Sequence, residues 1–479
     1  MNIGFVFWIL GKLCFIEGLL MLPTVLVGVI YGEYSQALNY FMTAAGLIAS
    51  GSLSYVFKPQ SKILRAREGL AIAGLGWIAV SLFGALPLTL CSEARYVDAF
   101  FEIVSGFTTT GATIFREVET LCHCTLFWRS FTHWIGGMGV LVFVMAILSF
   151  NDSRSMHIMR AEVPGHQAGK LVSKMQVNSR ILYLIYISLT VVEFVLLVFG
   201  GMDVFDSMLN SFATAGTGGF GIKNLSIGQY QSVWAEWVIT VFMLLFSINF
   251  NLFYFAIIGS WREALKSEEL KWFGGIVLFS VAAICINVLP LYDSFSNAFR
   301  DSSFTVASII STTGFATANF DLWPDFSKVI LVGLMFIGAC AGSTGGGIKV
   351  SRIVIMIKTA IAQVKKQVSP RSVQTVKFEK KLVDSSLQSG IMGYLTVYIC
   401  VFVVSLAIIS LDSFSMVTSF TSVTACLNNI GPGLETVGPM GNYADMSVLS
   451  KLVLSFDMLA GRLELFPMLS LLYPGAWKK

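Results

Sequence analysis

The chain alternates long apolar segments with short polar connections from one end to the other. About 20 apolar residues are needed to cross a bilayer as a helix, and an open strand edge is not tolerated in lipid. Ten segments approach or exceed this length, near residues 3–30, 37–56, 69–91, 124–150, 181–200, 230–260, 272–290, 326–357, 386–411 and 447–473. The pattern therefore predicts an all-α membrane protein with ten spans.

Four of the connections contain a further short apolar stretch that ends in a turn with glycine. The first stretch runs from Val97 to Phe107, and about ten apolar residues are too few to cross a membrane but suit a re-entrant helix. The four turns follow at Thr108–Thr113, Thr217–Phe220, Thr313–Ala316 and Asn428–Gly433. Each stretch therefore predicts a short helix that enters the membrane and returns.

One glycine marks each of these turns, at Gly111, Gly218, Gly314 and Gly431, with separations of 107, 96 and 117 residues. Each glycine lies between the two spans of a pair, which indicates four copies of span, short helix, turn and span. The predicted units are an N-terminal hairpin (1–57) and copies at 58–160, 161–265, 266–360 and 361–479. Aspartates are candidate caps of the short helices, namely Asp98, Asp206, Asp293 or Asp301, and Asp412.

Composition agrees with a membrane protein and gives it an orientation. Of the 479 residues 55% are hydrophobic and only 13% charged, against about 25% charged in soluble domains. Soluble enzymes and nucleic-acid-binding proteins are thereby excluded. The stretches 57–68, 151–180, 261–271 and 349–381 hold 21 of the 32 lysines and arginines, which predicts that they are cytoplasmic. With ten spans, both termini are then cytoplasmic as well.

Cysteine and histidine give little sign of a metal site. Most of the eight cysteines lie in apolar runs, where a thiol usually behaves as a small hydrophobic group. Cys122 and Cys124 flank His123, but two cysteines and one histidine without a second cluster are a weak signal. We therefore expect no transition metal, and the redox state of the two cysteines stays open.

Four re-entrant turns around one axis would place four backbone segments face to face. Their carbonyl oxygens could replace the water shell of a cation, and glycine permits the positive φ that lets a carbonyl point inward. The negative C-terminal ends of the short helices would add to the attraction. The alternative, that Thr-Gly pairs merely end helices, explains one such pair better than four at similar spacing.

The chain resembles the Trk/Ktr/HKT superfamily of potassium transporters, specifically its bacterial TrkH/TrkG type. The resemblance covers nearly the whole chain and is carried by Thr108–Thr113 (TTTGAT), Trp134–Gly139 (WIGGMG), Arg160–Gly165 (RAEVPG), Gly338–Lys349 (GACAGSTGGGIK), Leu427–Gly433 (LNNIGPG) and Gly461–Glu464 (GRLE). Two departures are that His133 stands where glutamine is usual, and that Phe220–Gly221 replaces a Phe-Ser ending. The second turn, Ala215–Gly219, is also unusually rich in glycine.

The resemblance implies a pore with four potassium-binding backbone segments. The residues implied are Thr109, Thr110 and Gly111; Gly216, Thr217 and Gly218; Thr312, Thr313 and Gly314; and Asn429, Ile430 and Gly431. It further implies a homodimer in the bacterial inner membrane and a TrkA-like cytoplasmic nucleotide-binding ring. No cofactor is expected in this chain, and potassium is its transported ligand.

A break inside the eighth apolar segment is a candidate gate. Gly338–Gly347 holds five glycines, each costing a helix about 1 kcal/mol relative to alanine, and irregular backbone at membrane depth must be buried in protein or line a wet cavity. By resemblance the gating residues are Gly342, Ser343, Thr344, Gly345, Gly346, Gly347 and Arg462. The alternatives are a close-packing glycine face and, for Arg462, an ion pair with Asp457.

The leading function is potassium uptake through a channel-like pore. The alternative is a proton- or sodium-coupled secondary transporter, which usually has broken helices arranged as repeats, whereas only one strong break is evident here. A membrane enzyme is not favoured because the chain lacks a His/Asp/Glu constellation. The resemblance implies that the TrkA-like ring docks on the basic cytoplasmic segments, and positive-inside charge alone would also explain them.

Overall fold

The computed structural model describes residues 2–56, 66–139 and 175–477. Several predictions concern positions outside these described ranges, among them the end of the fourth span, the motif Arg160–Gly165 and the unit boundaries at 57 and 160. Position 360 lies inside a helix that continues to Val368, and position 265 ends a short helix.

The first two helices form the predicted N-terminal hairpin. Helices α1 (Ile3–Ile30) and α2 (Tyr34–Val56) are joined by a turn at Tyr31–Glu33 and pack against each other along their length. Helix α1 also contacts two helices of the first copy, Ala66–Gly84 and His123–Gly137. The hairpin therefore lies beside the first copy.

The remaining described helices lie in the four predicted copies. In the first copy these are α3 (Ala66–Gly84), α4 (Leu86–Leu90), α5 (Tyr96–Phe107) and α6 (His123–Gly137). In the second they are α7 (Met175–Phe199), α8 (Val204–Gly216), α9 (Val233–Phe246), α10 (Phe250–Ile257) and α11 (Trp261–Leu265). The third has α12 (Glu268–Val288), α13 (Phe295–Ile310), α14 (Asp325–Ile337) and α15 (Val350–Val368). The fourth has α16 (Ser385–Ile409), α17 (Met416–Leu427), α18 (Val448–Arg462), α19 (Phe466–Leu472) and α20 (Pro474–Trp477).

The other regular elements are short. A two-stranded antiparallel hairpin, β1 (Lys377–Phe378) and β2 (Lys381–Leu382), lies between the third and fourth copies, with Lys377 opposite Leu382. Single 3₁₀ turns occur at Val118–Thr120, Ser226–Tyr230, Leu289–Leu291, Phe320–Leu322 and Glu435–Val437.

The part of the chain that the structure describes has fewer continuous spans than the ten predicted apolar segments suggest. Among the described residues, five helices are long and apolar enough to cross a membrane, and the pair α9 and α10 would be a sixth. That pair is bent by 95° at Ser247–Asn249. The expectation of an unbroken span over 230–260 is therefore wrong, because Asn249 caps a new helix with its side chain.

The helix break is repeated, contrary to the sequence-based expectation. The second span is interrupted after Phe246 in the second copy, after Ile337 in the third and after Arg462 in the fourth. In the fourth, Glu464 and Leu465 have φ of 57° and 69°, a conformation that no α-helix continues through. Only the third break is rich in glycine, so composition revealed that one alone.

The short helices are capped by residues other than the predicted aspartates. The side chains of Asp203, Ser294 and Ser415 cap α8, α13 and α17, whereas Arg95 precedes α5 without a side-chain cap. The predicted caps have other partners. Asp98 pairs with Lys451 at 2.5 Å, Asp206 accepts a hydrogen bond from Tyr230, and Asp412 accepts one from the backbone of Ser447.

Candidate functional site

All four short helices end in the same hydrogen-bonded turn. In each turn one residue donates its N–H to the carbonyl five residues earlier, and we call it the second residue of the turn. These bonds are Thr110 to Ser105, Gly218 to Ala213, Thr313 to Ser308 and Ile430 to Ala425, at 2.8–2.9 Å. The preceding residue, Thr109, Thr217, Thr312 or Asn429, has a left-handed φ of 55–61°. This is the Schellman arrangement, which satisfies the last carbonyls of a helix.

The second turn is shifted by one residue from its predicted alignment. Its hydrogen bonds make Gly218 equivalent to Thr110. The next residue, Gly219, therefore occupies the third position of the turn, and its φ is positive at 74°. Gly216 is the last residue of α8. The marker glycine of the second copy is therefore Gly219, and the assignment to Gly218 is wrong by one position. We call residues 109–111, 217–219, 312–314 and 429–431 the four-turn ring.

The turns contact one another in a closed circle. A β-carbon placed on the third-position glycine of each turn would overlap the second-position carbonyl oxygen of the next turn. The pairs are Gly111 with Gly218, Gly219 with Thr313, Gly314 with Ile430, and Gly431 with Thr110. The glycines are required here because their φ of 74–90° and the close approach both exclude a side chain.

One side of the four-turn ring faces a cavity at the surface. The glycine of every turn lines this cavity, together with Arg116, Arg129 and Lys223. Arg116 pairs with Asp445, and the buried Arg129 pairs with Glu102 at 2.8 Å. Glu102 in turn accepts the backbone N–H of Ile114 at 2.9 Å, so the buried ion pair fixes the chain just after the first turn.

Loops of successive copies are tied together around this cavity. Val118 donates its N–H to Asn224 at 2.8 Å, and Asn224 donates its own to Glu119 at 3.0 Å. This bond, with one from Gln229, lowers the pKa of Glu119 below its usual range because hydrogen bonds favour the charged carboxylate. Tyr443 joins the fourth copy to the first, since its N–H donates to Thr113 and its hydroxyl to Gly431.

The glycine-rich loop Gly338–Gly347 packs against the other side of the four-turn ring. Gly346 donates its N–H to Thr312 Oγ1 at 2.6 Å, and Gly347 donates to the carbonyl of Asn428 at 3.1 Å. Thr344 binds the carbonyl of Phe246, and the buried Lys349 ammonium binds that of Gly345. The loop is therefore buried in protein and hydrogen-bonded to turns of the third and fourth copies.

Arg462 joins this loop to the first copy. Its guanidinium donates to the carbonyl of Thr344 at 2.6 Å and to those of Gly136 and Gly137 at 2.7 and 2.6 Å. Asp457 instead accepts a hydrogen bond from Ser405, and its second oxygen has no hydrogen-bond partner among the described residues. These contacts do not support the alternative of an Arg462–Asp457 ion pair. Glu464 lies beyond the helix end and pairs with Arg352 at 2.5 Å.

Residues 37–473 match the family model described as "TrkH: Cation transport protein". The chain belongs to the TrkH family. It is 38% identical over 426 residues to the Trk system potassium uptake protein TrkH of Escherichia coli K12, covering 87% of each chain. It is 33% identical to the protein of the same name from Halomonas elongata, covering all of both. The crystal structure of the potassium transporter TrkH from Vibrio parahaemolyticus superposes with a TM-score of 0.90 at 31% identity, covering 100% of both chains.

Membership in this family confirms the resemblance that the motifs indicated. The chain is a predominantly helical, multi-pass membrane protein of a transporter family rather than of an enzyme family. Of the twelve residues expected at the turns, eleven lie in the four-turn ring; Gly216 precedes it, and Gly219 completes it. All seven expected gating residues lie in the loop or, for Arg462, in contact with it.

His133 also contacts the second turn, a role that sequence reasoning missed. Its Nδ1 lies 2.7 Å from the carbonyl of Gly106, and its Nε2 accepts the N–H of Phe220 at 3.2 Å. Because a carbonyl only accepts and an amide N–H only donates, the ring is neutral with its proton on Nδ1. The buried imidazole thus ties the short helix of the first copy to the second turn. The sequence signal for this role was that His133 stands where glutamine is usual.

We expect His133→Gln to retain most cation uptake and His133→Leu to lose about tenfold. A carboxamide can both donate and accept, whereas leucine leaves the Phe220 N–H unpaired in a buried site, at about 1–3 kcal/mol. Uptake per inserted protein, with and without competing sodium, is the measurement. Equal uptake by the two variants would contradict this positioning role.

Proposed function

We propose that the chain mediates potassium uptake across the bacterial inner membrane through a channel-like pore, with the four-turn ring as its filter. The observation that carries this proposal is the closed circle in which a glycine of each turn faces a carbonyl oxygen of the next. Relatives named as potassium uptake proteins support the choice of ion. The filter residues are those of the ring, with Gly219 in place of Gly216.

The ring supplies the chemistry that selection of a cation needs. Backbone carbonyls replace water molecules around the ion, and the four helix C-termini add partial negative charge. A membrane potential of 100 mV contributes about 2.3 kcal/mol per unit charge, which corresponds to roughly fifty-fold accumulation. Uptake therefore needs no nucleotide site in this chain.

The glycine-rich loop and Arg462 form the gate in this proposal. The loop contacts the turns of two copies on the side opposite the cavity, and Arg462 ties it to the carbonyls of Gly136 and Gly137. Opening would require the loop to leave these partners. The positive guanidinium would also oppose a cation that passes close to it.

A homodimer and a cytoplasmic TrkA-like ring are the proposed partners, with both termini in the cytoplasm. The relatives are named as parts of a Trk system, and the described cytoplasmic segment is exposed and basic. Its exposed cations are Lys365, Lys366, Arg371, Lys377, Lys380 and Lys381. An ion pair between Lys358 and Glu268 holds the middle of α15 against the start of α12, which gives this surface a fixed support.

The test is the reversal potential of the purified chain in liposomes. A channel predicts that this potential follows the potassium gradient and is unchanged when a proton or sodium gradient is imposed. Gly314→Ala serves as the matched control, since its disturbed ring should remove the current. A reversal potential that shifts with an imposed proton gradient would contradict the channel.

A coupled secondary transporter is the second candidate. Helix breaks recur in three copies, and Asp457 lies buried with a carboxylate oxygen that has no hydrogen-bond partner within residues 2–56, 66–139 and 175–477. A buried acid inside a membrane is a frequent proton-carrying group. If coupling occurs, Asp457→Asn should abolish the effect of the proton gradient on uptake while leaving potassium-driven flux in place.

A further inference from the structure

A cluster of potential metal ligands lies where the N-terminal hairpin meets the first copy. One sulfur each from Cys122 and Cys124 and one carboxylate oxygen from Glu33 all lie within 4.8 Å of one another. Cys122 and Cys124 begin α6, whereas Glu33 belongs to the turn between α1 and α2. The sequence showed only the Cys-His-Cys group, because the third ligand comes from a turn about ninety residues away.

We propose that Glu33, Cys122 and Cys124 bind one thiophilic divalent cation of the Zn²⁺ class. Thiolates and a carboxylate are ligands of this ion, with metal–sulfur bonds of about 2.3 Å and metal–oxygen bonds of about 2.0–2.2 Å. In a tetrahedral site such bonds place the ligand atoms roughly 3.5–3.8 Å apart. The three ligand atoms here, which lie within 4.8 Å of one another, would therefore need to approach by about 1 Å. Water would occupy a fourth position, and both thiol protons would pass to solvent.

The carboxylate is already held in place for this role. Glu33 Oε1 accepts hydrogen bonds from the backbone N–H and from Nδ1 of His123, both at 2.8 Å. Its Oε2 accepts the N–H of Cys124 at 3.0 Å, and a carboxylate oxygen has a second lone pair that can bind a metal. Tyr31 stacks on the His123 ring at 3.9 Å between centroids and fixes its orientation. Outer groups of this kind orient metal ligands.

The two sulfurs are likewise positioned by their surroundings. Cys122 caps α6, where its Sγ accepts the N–H of Thr125 at 3.4 Å and where the helix dipole favours negative charge. Cys124 is buried against α1, and a β-carbon on Gly28 would overlap its sulfur, so Gly28 makes room for this thiol. The half-exposed His123 leaves a route from solvent.

A metal at this site would clamp the α1–α2 turn to the start of α6. That contact joins the hairpin to the helix that carries His133 and Gly136. The site is separate from the four-turn ring, so its existence does not depend on the proposed potassium filter. It depends only on three side chains brought together by the fold.

The test measures Cd²⁺ binding to the full chain in nanodiscs after reduction and removal of metal. We expect one Cd²⁺ per chain with a thiolate-to-cadmium charge-transfer band, displaced by Zn²⁺ but not by Mg²⁺ or Ca²⁺. Cys122→Ser and Cys124→Ser should each weaken binding at least a hundredfold, and Glu33→Gln about tenfold. Cys400→Ser, which removes an exposed thiol in α16, is the matched control and should bind normally.

A second measurement uses the unaltered protein, so it does not depend on the variants folding. Cd²⁺ should protect Cys122 from alkylation by a maleimide, as mapped on peptides, whereas Mg²⁺ at the same concentration should not. Unchanged Cd²⁺ affinity in both cysteine variants overturns the proposal. Equal competition of Ca²⁺ with Cd²⁺ would also overturn it, because that result would indicate binding to an exposed carboxylate. A Cys122–Cys124 disulfide that persists under reductant would overturn it as well.

Discussion

Gly314→Ala should reduce potassium uptake by at least tenfold and increase inhibition by sodium. Gly314 has φ of +87°, a conformation that costs an L-residue roughly 1–2 kcal/mol. An added β-carbon would also overlap the carbonyl oxygen of Ile430 and approach Pro432 Cδ to 2.7 Å. The turn of the third copy, that of the fourth, or both must therefore move, which opens the ring at this contact.

The matched control for this change is Gly333→Ala in α14 of the same copy. An added β-carbon there has no atom within 4 Å, and alanine is favoured over glycine in a helix by about 1 kcal/mol. The measurements are growth of potassium-uptake-deficient cells on low potassium and the amount of inserted protein. If Gly314→Ala shows normal uptake and normal sodium exclusion, the four-turn ring is not the filter.

Arg462→Ala should increase potassium flux without the regulatory partner by about tenfold. The substitution removes three charge-assisted hydrogen bonds to carbonyls, each worth about 1.5–3 kcal/mol, although their effects are not additive. It also removes a positive charge that no change of pH can remove, because a guanidinium stays protonated in proteins. A tenfold change needs only about 1.4 kcal/mol, which is less than one of these bonds.

Arg462→Lys separates the effect of the positive charge on flux from the effect of the hydrogen-bond geometry. Lysine keeps the positive charge but lacks the planar fork that reaches carbonyls of Thr344 and Gly136 together. We expect it to retain most of the block, and Arg262→Ala, which removes an exposed arginine of α11, to leave flux unchanged. Flux per inserted protein is the measurement. Wild-type flux in Arg462→Ala at normal yield would show that Arg462 is no barrier.

The second turn shows where sequence reasoning reached its limit. Ala215–Gly219 contains three glycines, so either Gly218 or Gly219 can accept the positive φ of the third position. The hydrogen bond from Gly218 to Ala213 and the approach of Gly219 to Thr313 select one register. In the other three copies the ring segments 109–111, 312–314 and 429–431 each contain a single glycine, and there the predicted alignment agrees with the backbone.

The breaks in the second spans illustrate a different limit. Glycine content revealed the interruption at Gly338–Gly347 because glycine disfavours helix wherever it occurs. The interruptions at Ser247–Asn249 and Leu463–Leu465 contain no glycine and lie within apolar sequence. They are stabilised by bonds to distant residues, such as that from Cys340 N–H to the carbonyl of Ser247. Such bonds leave no local pattern.

The helical membrane class, the four short helices and three of the four marker glycines could be predicted from the chain alone. Helix length, apolar content and tolerance of positive φ are local properties, and so they can be read along the chain. Packing of distant segments sets the order of contacts around the four-turn ring, the partners of Arg462 and His133, and the meeting of Glu33 with Cys122 and Cys124. These depend on residues 27 to 326 positions apart, whose proximity is set by how the copies pack rather than by any segment's own preference.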